Sequence, residues 1–412
     1  MIVKRSSIRA VLASGVLAVT AFVSTTPGQA HKAITSKYTY NDDVFPIFQE
    51  RCSRCHVAGG VAPMSLMTYD DAFPWAESIR AELIASHMPP WHADQGFSEL
   101  KRAHTLTPRE LDIVLTWATG GNPRGALDKK LPEVTLKNDW ALGPPDLVLK
   151  LPADFTLAAD KMEDTQEFTL PTSTAEARWV RAVDLLPGTP SIVRSATIFV
   201  KGVATQAAAG PAPERVLARW LPGQDADPID GGAALRLPAG AQLGVRIHYK
   251  KTWQFEGKAV NDRSSVGVYF APIKEAQELL AVPIESPAIA PGQQPTVTFS
   301  QTLTEELRAV ALSPDSVPPN ISVQVEAVRP DGSRTPMIRI NTRADWDRRY
   351  WFEKPLTLAR GTKVEVKADF EDPDLLSSAF STPGGSGSAA AKPASMRLML
   401  NVLPANSKPT AP

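Results

Sequence analysis

Cys52-Ser53-Arg54-Cys55-His56 sets two thiols three residues apart, with an imidazole directly after the second. Thiols near one helical turn apart can each add to a vinyl group of haem, and the following histidine is then aimed at the iron. The run therefore fits C-x-x-C-H, the attachment sequence of c-type haem. These are the only two cysteines among 412 residues, so there is no disulfide framework, and one motif means one haem c, covalently held. Two other chemistries use paired thiols. A redox dithiol of the thioredoxin sort belongs in a βαβ context that is missing around residue 52, and zinc needs further ligands close by.

The opposite axial position has several candidates. Met88, in His87-Met88-Pro89-Pro90-Trp91, falls in a turn where prolines would present a thioether rigidly to iron, and it is the expected sixth ligand. Met64, Met67, His87 and His92 are the alternatives. A thioether ligand raises the reduction potential and favours electron transfer over oxygen binding. His104 has the profile of a surface histidine and receives no role.

The elements that must position these residues are helical from Asp42 to about Asn122. Val44, Ile47 and Phe48 share a face leading into Cys52, and a second helix carries Phe73, Ala76, Ile79 and Leu83. A third is bounded by a capping box of Thr107 and Glu110, by Pro108 at its first position, and by Gly120-Gly121 and Pro123 at its end; its stripe is Leu111, Val114, Leu115 and Ala118. Residues 31–124 read as a small all-α domain, short for an independent core unless something large and apolar fills its centre. Residues 125–150, rich in Pro, Lys and Asp, read as a linker.

Beyond the linker the pattern changes to short strands between turn signals. Trp179 to Leu186, Ile192 to Val200, Leu243 to Tyr249 and Ser265 to Phe270 predict a first β-sandwich over 151–280. Thr296 to Phe299, Arg308 to Leu312, Ile321 to Arg329, Met337 to Asn341, Thr362 to Phe370 and Met396 to Leu403 predict a second over 281–408, with Ser377 to Lys392 as a flexible loop.

The first thirty residues read as a signal peptide. Lys4, Arg5 and Arg9 precede an apolar run, Ala10 to Val23, that is too short to span a bilayer, and Gly28-Gln29-Ala30 offers small residues for cleavage. An uncleaved signal anchor is the alternative. Export to the periplasm is expected, with no membrane span in the mature chain. If cleavage follows Ala30, the new amino group and the imidazole of His31 form a possible copper(II) chelate. With 43% hydrophobic and 21% charged residues the chain is expected to fold into more than one unit. Lys plus Arg equals Asp plus Glu at 44 each, so no global field would draw it onto nucleic acid.

Asp43-Val44-Phe45-Pro46-Ile47-Phe48-Gln49 before the motif, then Ala62-Pro63-Met64-Ser65-Leu66, Pro74-Trp75-Ala76 and Met88-Pro89-Pro90-Trp91, resemble bacterial exported proteins that join a cytochrome c domain to a copper type II, ascorbate-dependent monooxygenase-like module. The likeness continues through Gly143-Pro144-Pro145-Asp146-Leu147, Arg178-Trp179-Val180-Arg181, Leu237-Pro238-Ala239-Gly240, His248-Tyr249, Asp262 to Gly267 and Pro330-Asp331-Gly332. It implies two successive jelly-roll-like sandwiches, as in peptidylglycine hydroxylating monooxygenase. It also implies two coppers, one held by a His-His pair and a His-Tyr histidine, the other by His-x-His and a methionine.

Here His248-Tyr249 matches the His-Tyr element, and Met396 and Met399 are the two candidates for the methionine, but the other stretches read Ile192-Val193-Arg194-Ser195-Ala196 and Leu312-Ser313-Pro314-Asp315-Ser316. After His104 the chain has one histidine, so five imidazole ligands cannot be assembled and copper is not expected. Three functions of different class follow: an electron-transfer cytochrome whose β half docks a redox partner protein, a haem-containing scaffold for an active copper-monooxygenase paralogue, and an ascorbate-dependent copper monooxygenase, which the histidine count opposes.

Overall fold

The computed structural model describes residues 35–405 apart from 205–213, 225, 227, 230–232, 273–275, 288–295, 344–346 and 371–394. The expected signal peptide, His31 and the whole 377–392 tract lie outside the described residues. What is described is mostly β-sheet with a few short helices near the start.

Thr39 caps a π turn, Tyr40–Val44, that continues into α1 (Phe45–Arg51), with Pro46 as the second residue of α1. α2 (Tyr69–Ala72), a 3-10 turn (Phe73–Trp75) and α3 (Ala76–Ile84) form one interrupted rod. α4 (Pro108–Thr119) begins on the predicted box: Thr107 Oγ1 accepts from the Glu110 amide, and the Glu110 carboxylate accepts from the Thr107 amide at 2.7 Å. These helices share one core built around Tyr40, Phe48, Val114 and Trp117, with Phe48 and Trp117 edge to face at 89°.

Two faces differ from the periodic reading. Phe73 is 46% exposed, because Pro74 tightens the rod to a 3-10 turn and shifts the phase of the stripe. On α4 the most buried positions are Val114 and Trp117, while Leu111 turns toward a cavity, so this helix packs on two sides and its apolar arc is wider than one stripe.

Residues 125–146 contain no helix or strand but are laid down on their neighbours. Leu131, Val134 and Leu136 pack on the helical core, Asn138 donates to the Pro187 carbonyl at 3.1 Å, and the Tyr269 hydroxyl donates to the Gly143 carbonyl at 2.8 Å. Gly267 has no room for a Cβ against Trp140 and Pro145.

The first set of strands is β1 (Leu147–Lys150), β2 (Phe155–Leu157), β3 (Glu163–Pro171), β4 (Arg178–Leu186), β5 (Val193–Ala204), β6 (Glu214–Trp220), β7 (Ala233–Leu237), β8 (Gln242–Lys250), β9 (Val260–Asp262), β10 (Ser265–Phe270) and β11 (Gln277–Glu278). One sheet runs β1-β10-β4-β7-β11 and the other β3-β8-β5-β6, with β2 and β9 as a separate pair. Inward residues of both sheets, among them Val183, Leu235, Ile198 and Val245, make one core.

The second set is β12 (Leu280–Glu285), β13 (Thr296–Thr302), β14 (Leu307–Ser316), β15 (Ser322–Val328), β16 (Arg334–Asn341), β17 (Tyr350–Leu358), β18 (Lys363–Asp369) and β19 (Arg397–Pro404). Its sheets are β12-β19-β14-β17 and β13-β18-β15-β16, again around a shared core.

That core also takes in Trp91 and Ala93, which follow the helical rod. Residues 91–101 run as a strap over the edge strands β16 and β17. Ala93 bridges Ile340, Leu100 bridges Phe352, the Asp94 amide donates to the Arg339 carbonyl at 2.8 Å, and Trp91 stands edge-on to Tyr350 at 5.4 Å. Among the described residues no helix is long and apolar enough to cross a membrane.

Candidate functional site

Cys52 is the C-cap of α1, its amide donating to the Phe48 carbonyl. The chain then makes one more turn. The Cys55 and His56 amides both donate to the Cys52 carbonyl, at 3.1 and 2.8 Å, which keeps the two thiols and the imidazole on one short arc. Neither cysteine is in a disulfide. Burial pushes the Cys52 thiol up to about 12, with Cys55 beside it adding to the rise, and pushes Cys55 up to about 11 against the lowering effects of Arg194 and Arg54. A dithiol exchanger needs a favoured thiolate, and this pocket disfavours one. Among the described residues no cluster of three or more His, Cys, Asp or Glu is placed to hold a metal ion.

The loop after the motif folds back to orient His56. Its Nδ1 lies 3.2 Å from the Met64 carbonyl, and burial holds the imidazole below its ordinary pKa, against the raising effect of that bond. With Nδ1–H donating, Nε2 is the basic nitrogen. Gly60 is required here: a Cβ would stand 2.3 Å from the Cys55 carbonyl oxygen. The Ala62 amide donates to that same carbonyl, and the Leu66 amide to the His56 carbonyl. Met64 therefore stands behind the ring as viewed from Nε2, and Met67 is buried in the helical core.

Met88 does not join this cluster directly. It is 38% exposed and lines a cavity of about 610 Å³ together with Leu83 and Ile84 from α3, Leu106, Leu111 from α4, Trp91 and His92 from the strap, and Arg343 after β16. Cys52, Cys55 and His56 are not among its lining residues, although Leu83 and Leu106 pack on the same core as Cys52. The volume is in the range of cofactor sites. His87, next to Met88, has its Nδ1 2.9 Å from Glu82 Oε2, while its Nε2 is buried without a hydrogen-bond partner. His92 is held down to about 4, first by burial and then by Arg343, Arg348 and His87.

The first sandwich touches the motif, a contact that the spacing of residues does not announce. Arg54 Nη1 donates to the Gly223 carbonyl at 3.4 Å, the Cys55 sulfur is 3.7 Å from the Pro222 carbonyl, and Gly223, at φ +73°, would bring a Cβ within 2.7 Å of Cys55 Sγ.

The two stretches that stand where copper ligands are implied by the resemblance have other partners. Arg194 donates to the Val61 carbonyl, and Asp315 pairs with Arg219 and Arg397. His248 faces Glu163 at 4.0 Å on β8. No protein-family model and no curated protein matches the chain.

Proposed function

We propose that the chain is an exported monohaem c-type cytochrome that carries single electrons. Cys52 and Cys55 would hold the haem through thioether bonds, and His56 and Met88 are the residues that would ligate its iron. The observation that carries this reading is the His56 Nδ1 to Met64 carbonyl bond beside two unpaired thiols, because a metal-binding imidazole needs its second nitrogen held by an acceptor. When bound, the haem supplies one-electron chemistry at iron, with a raised potential if the sixth ligand is a thioether.

The roles of the protein's own residues follow. The one-turn arc of Cys52 to His56 sets the attachment geometry, and the Met64 carbonyl fixes the ring. The cavity below Met88 gives an apolar wall of Leu83, Ile84, Leu106 and Leu111. Met64 has its backbone carbonyl on the His56 ring, and its side chain packs against the helical core. One observation favours a second assignment: His87, with Glu82 on Nδ1 and a buried, unpartnered Nε2, has the arrangement of a ligating imidazole.

In this reading the helical segment is a cytochrome c-like domain, and the two β cores are jelly-roll-like sandwiches descended from a monooxygenase module. They serve contact with a redox partner protein in the periplasm, an active copper-containing paralogue being one candidate. The residues present do not fit copper: a guanidinium and a doubly ion-paired carboxylate stand where imidazoles would be needed.

Acid-acetone extraction followed by a haem stain of a denaturing gel tests the proposal. Haem that stays on the polypeptide is expected; haem that leaves into the solvent overturns it.

A further inference from the structure

The loop that orients His56 is gripped from outside the helical segment. Arg194 lies where the β5 to β8 register shifts, between Val193 and Ser195, and such a bulge re-aims a side chain out of the alternating pattern. Its guanidinium donates to the Val61 carbonyl. Gln254, in the 3-10 turn Trp253–Phe255, donates from Nε2 to the Pro63 carbonyl at 3.0 Å. The next residue, Met64, is the one whose carbonyl takes the His56 ring. From within, the Ala62 amide on the Cys55 carbonyl and the tight turn at Gly60 hold the same loop. A stretch of four residues thus has two carbonyls fixed by the first sandwich and one fixed on the imidazole.

We infer that Arg194 and Gln254 are positioning residues for the axial histidine: the first sandwich sets the length of the His56 Nδ1 hydrogen bond and so tunes the iron. The inference rests on the haem reading. A firmly held acceptor makes an imidazole more basic and stabilises the oxidised metal. Releasing the loop lengthens the bond and weakens that donation. The β module then does more than offer a docking face, since it adjusts the potential at which the haem gives up its electron.

The test uses the full-length holoprotein and the variants R194L, R194K, Q254L and the double R194L/Q254L. Three readouts are taken: the midpoint potential, the resonance of the His56 Nδ1 proton, and amide hydrogen exchange at Ala62 and Leu66. Expected are a higher potential and a displaced Nδ1 proton in R194L and Q254L, larger changes in the double variant, recovery toward wild type in R194K, and exchange at Ala62 and Leu66 faster by about tenfold. Wild-type potential, proton resonance and exchange in both single variants would overturn the inference. If R194L does not fold, Q254L decides alone, because Gln254 is exposed at the surface and carries a single bond to the loop. If the wild-type chain carries no haem, the haem reading fails separately, and exchange at Ala62 and Leu66 still decides whether the sandwich holds the loop.

Discussion

Arg219 on β6 lies 3.0 Å from Asp315 on β14, so the two sandwiches are joined by an ion pair whose side chains are only 13% and 11% exposed. Asp315 also takes Arg397 of β19 at 2.6 Å, and Arg397 reaches Glu285 of β12 at 3.2 Å. One carboxylate therefore compensates two largely buried guanidinium groups. Replacing Asp315 with Ala leaves both without it, and a loss on the order of 3 kcal/mol is expected, where an exposed pair would cost under about 1 kcal/mol. Urea unfolding of D315A checks the figure; an unchanged midpoint would show that the bridge contributes nothing.

The sixth ligand is read from the far-red charge-transfer band of sulfur-ligated ferric haem. Loss of the band in M88A is expected, with H87A retaining it. A wild-type protein without the band, whose low-spin spectrum collapses in H87A, moves the assignment to His87.

Gly223 is confined by Cys55. G223A must both hold a left-handed φ and admit a methyl group 2.7 Å from Cys55 Sγ, so the loop after β6 has to move away from the motif. A loss of about 1–2 kcal/mol and a lower ratio of haem to protein are expected, measured by thermal unfolding and by the pyridine haemochrome assay. G257A, at a glycine of similar φ with open space around it, separates the backbone cost from the clash.

His92 makes stability depend on pH. Its folded pKa of about 4 lies below the ordinary 6.5, so above pH 6.5 both states are neutral and it contributes no slope. As pH falls below 6.5, the unfolded chain takes up a proton that the folded protein refuses, and stability is lost. Between pH 6.5 and 5, above most carboxylate titration, the loss is about 1.6 kcal/mol. H92Q should flatten that part of the curve, and an unchanged slope in H92Q would assign it to other groups.

Several local signals were legible in the residues. The Thr107 and Glu110 box, the Val44, Ile47 and Phe48 face, and strands such as β8 and β10 are written in cap chemistry and in apolar runs, so near neighbours suffice to read them. β17 is not legible in the residues, because Glu353, Lys354 and Pro355 interrupt its apolar pattern, and its fixed position comes from β14 and the strap. β3 is hidden for a related reason: Asp164 and Gln166 share the inward face with Phe168 and Leu170, so only half of that face is apolar. The short arc of Cys52, Cys55 and His56 follows from their spacing, whereas the grip of Arg194 on Val61 joins residues 133 positions apart and turns on a bulge. In the sequence Arg194 stands out only as part of the stretch where the resemblance implies a histidine pair. Its partner is a backbone carbonyl, which no pattern of side chains reveals.

The strap has a consequence for the order in which the molecule assembles. The arc from Cys52 to Leu66 closes on bonds between residues at most ten positions apart, so it can form as soon as that short piece of chain is free. The cavity beside Met88 is different. Its wall includes Asn341 and Arg343, and residues 91–101 need β16 and β17 as their pairing edge, nearly 250 positions later in the chain. The arc of the motif is therefore ready early, and the cavity beside Met88 is finished late. In the haem reading, the cover over Cys55 comes between the two, when Pro222 and Gly223 of the first sandwich pack against its sulfur.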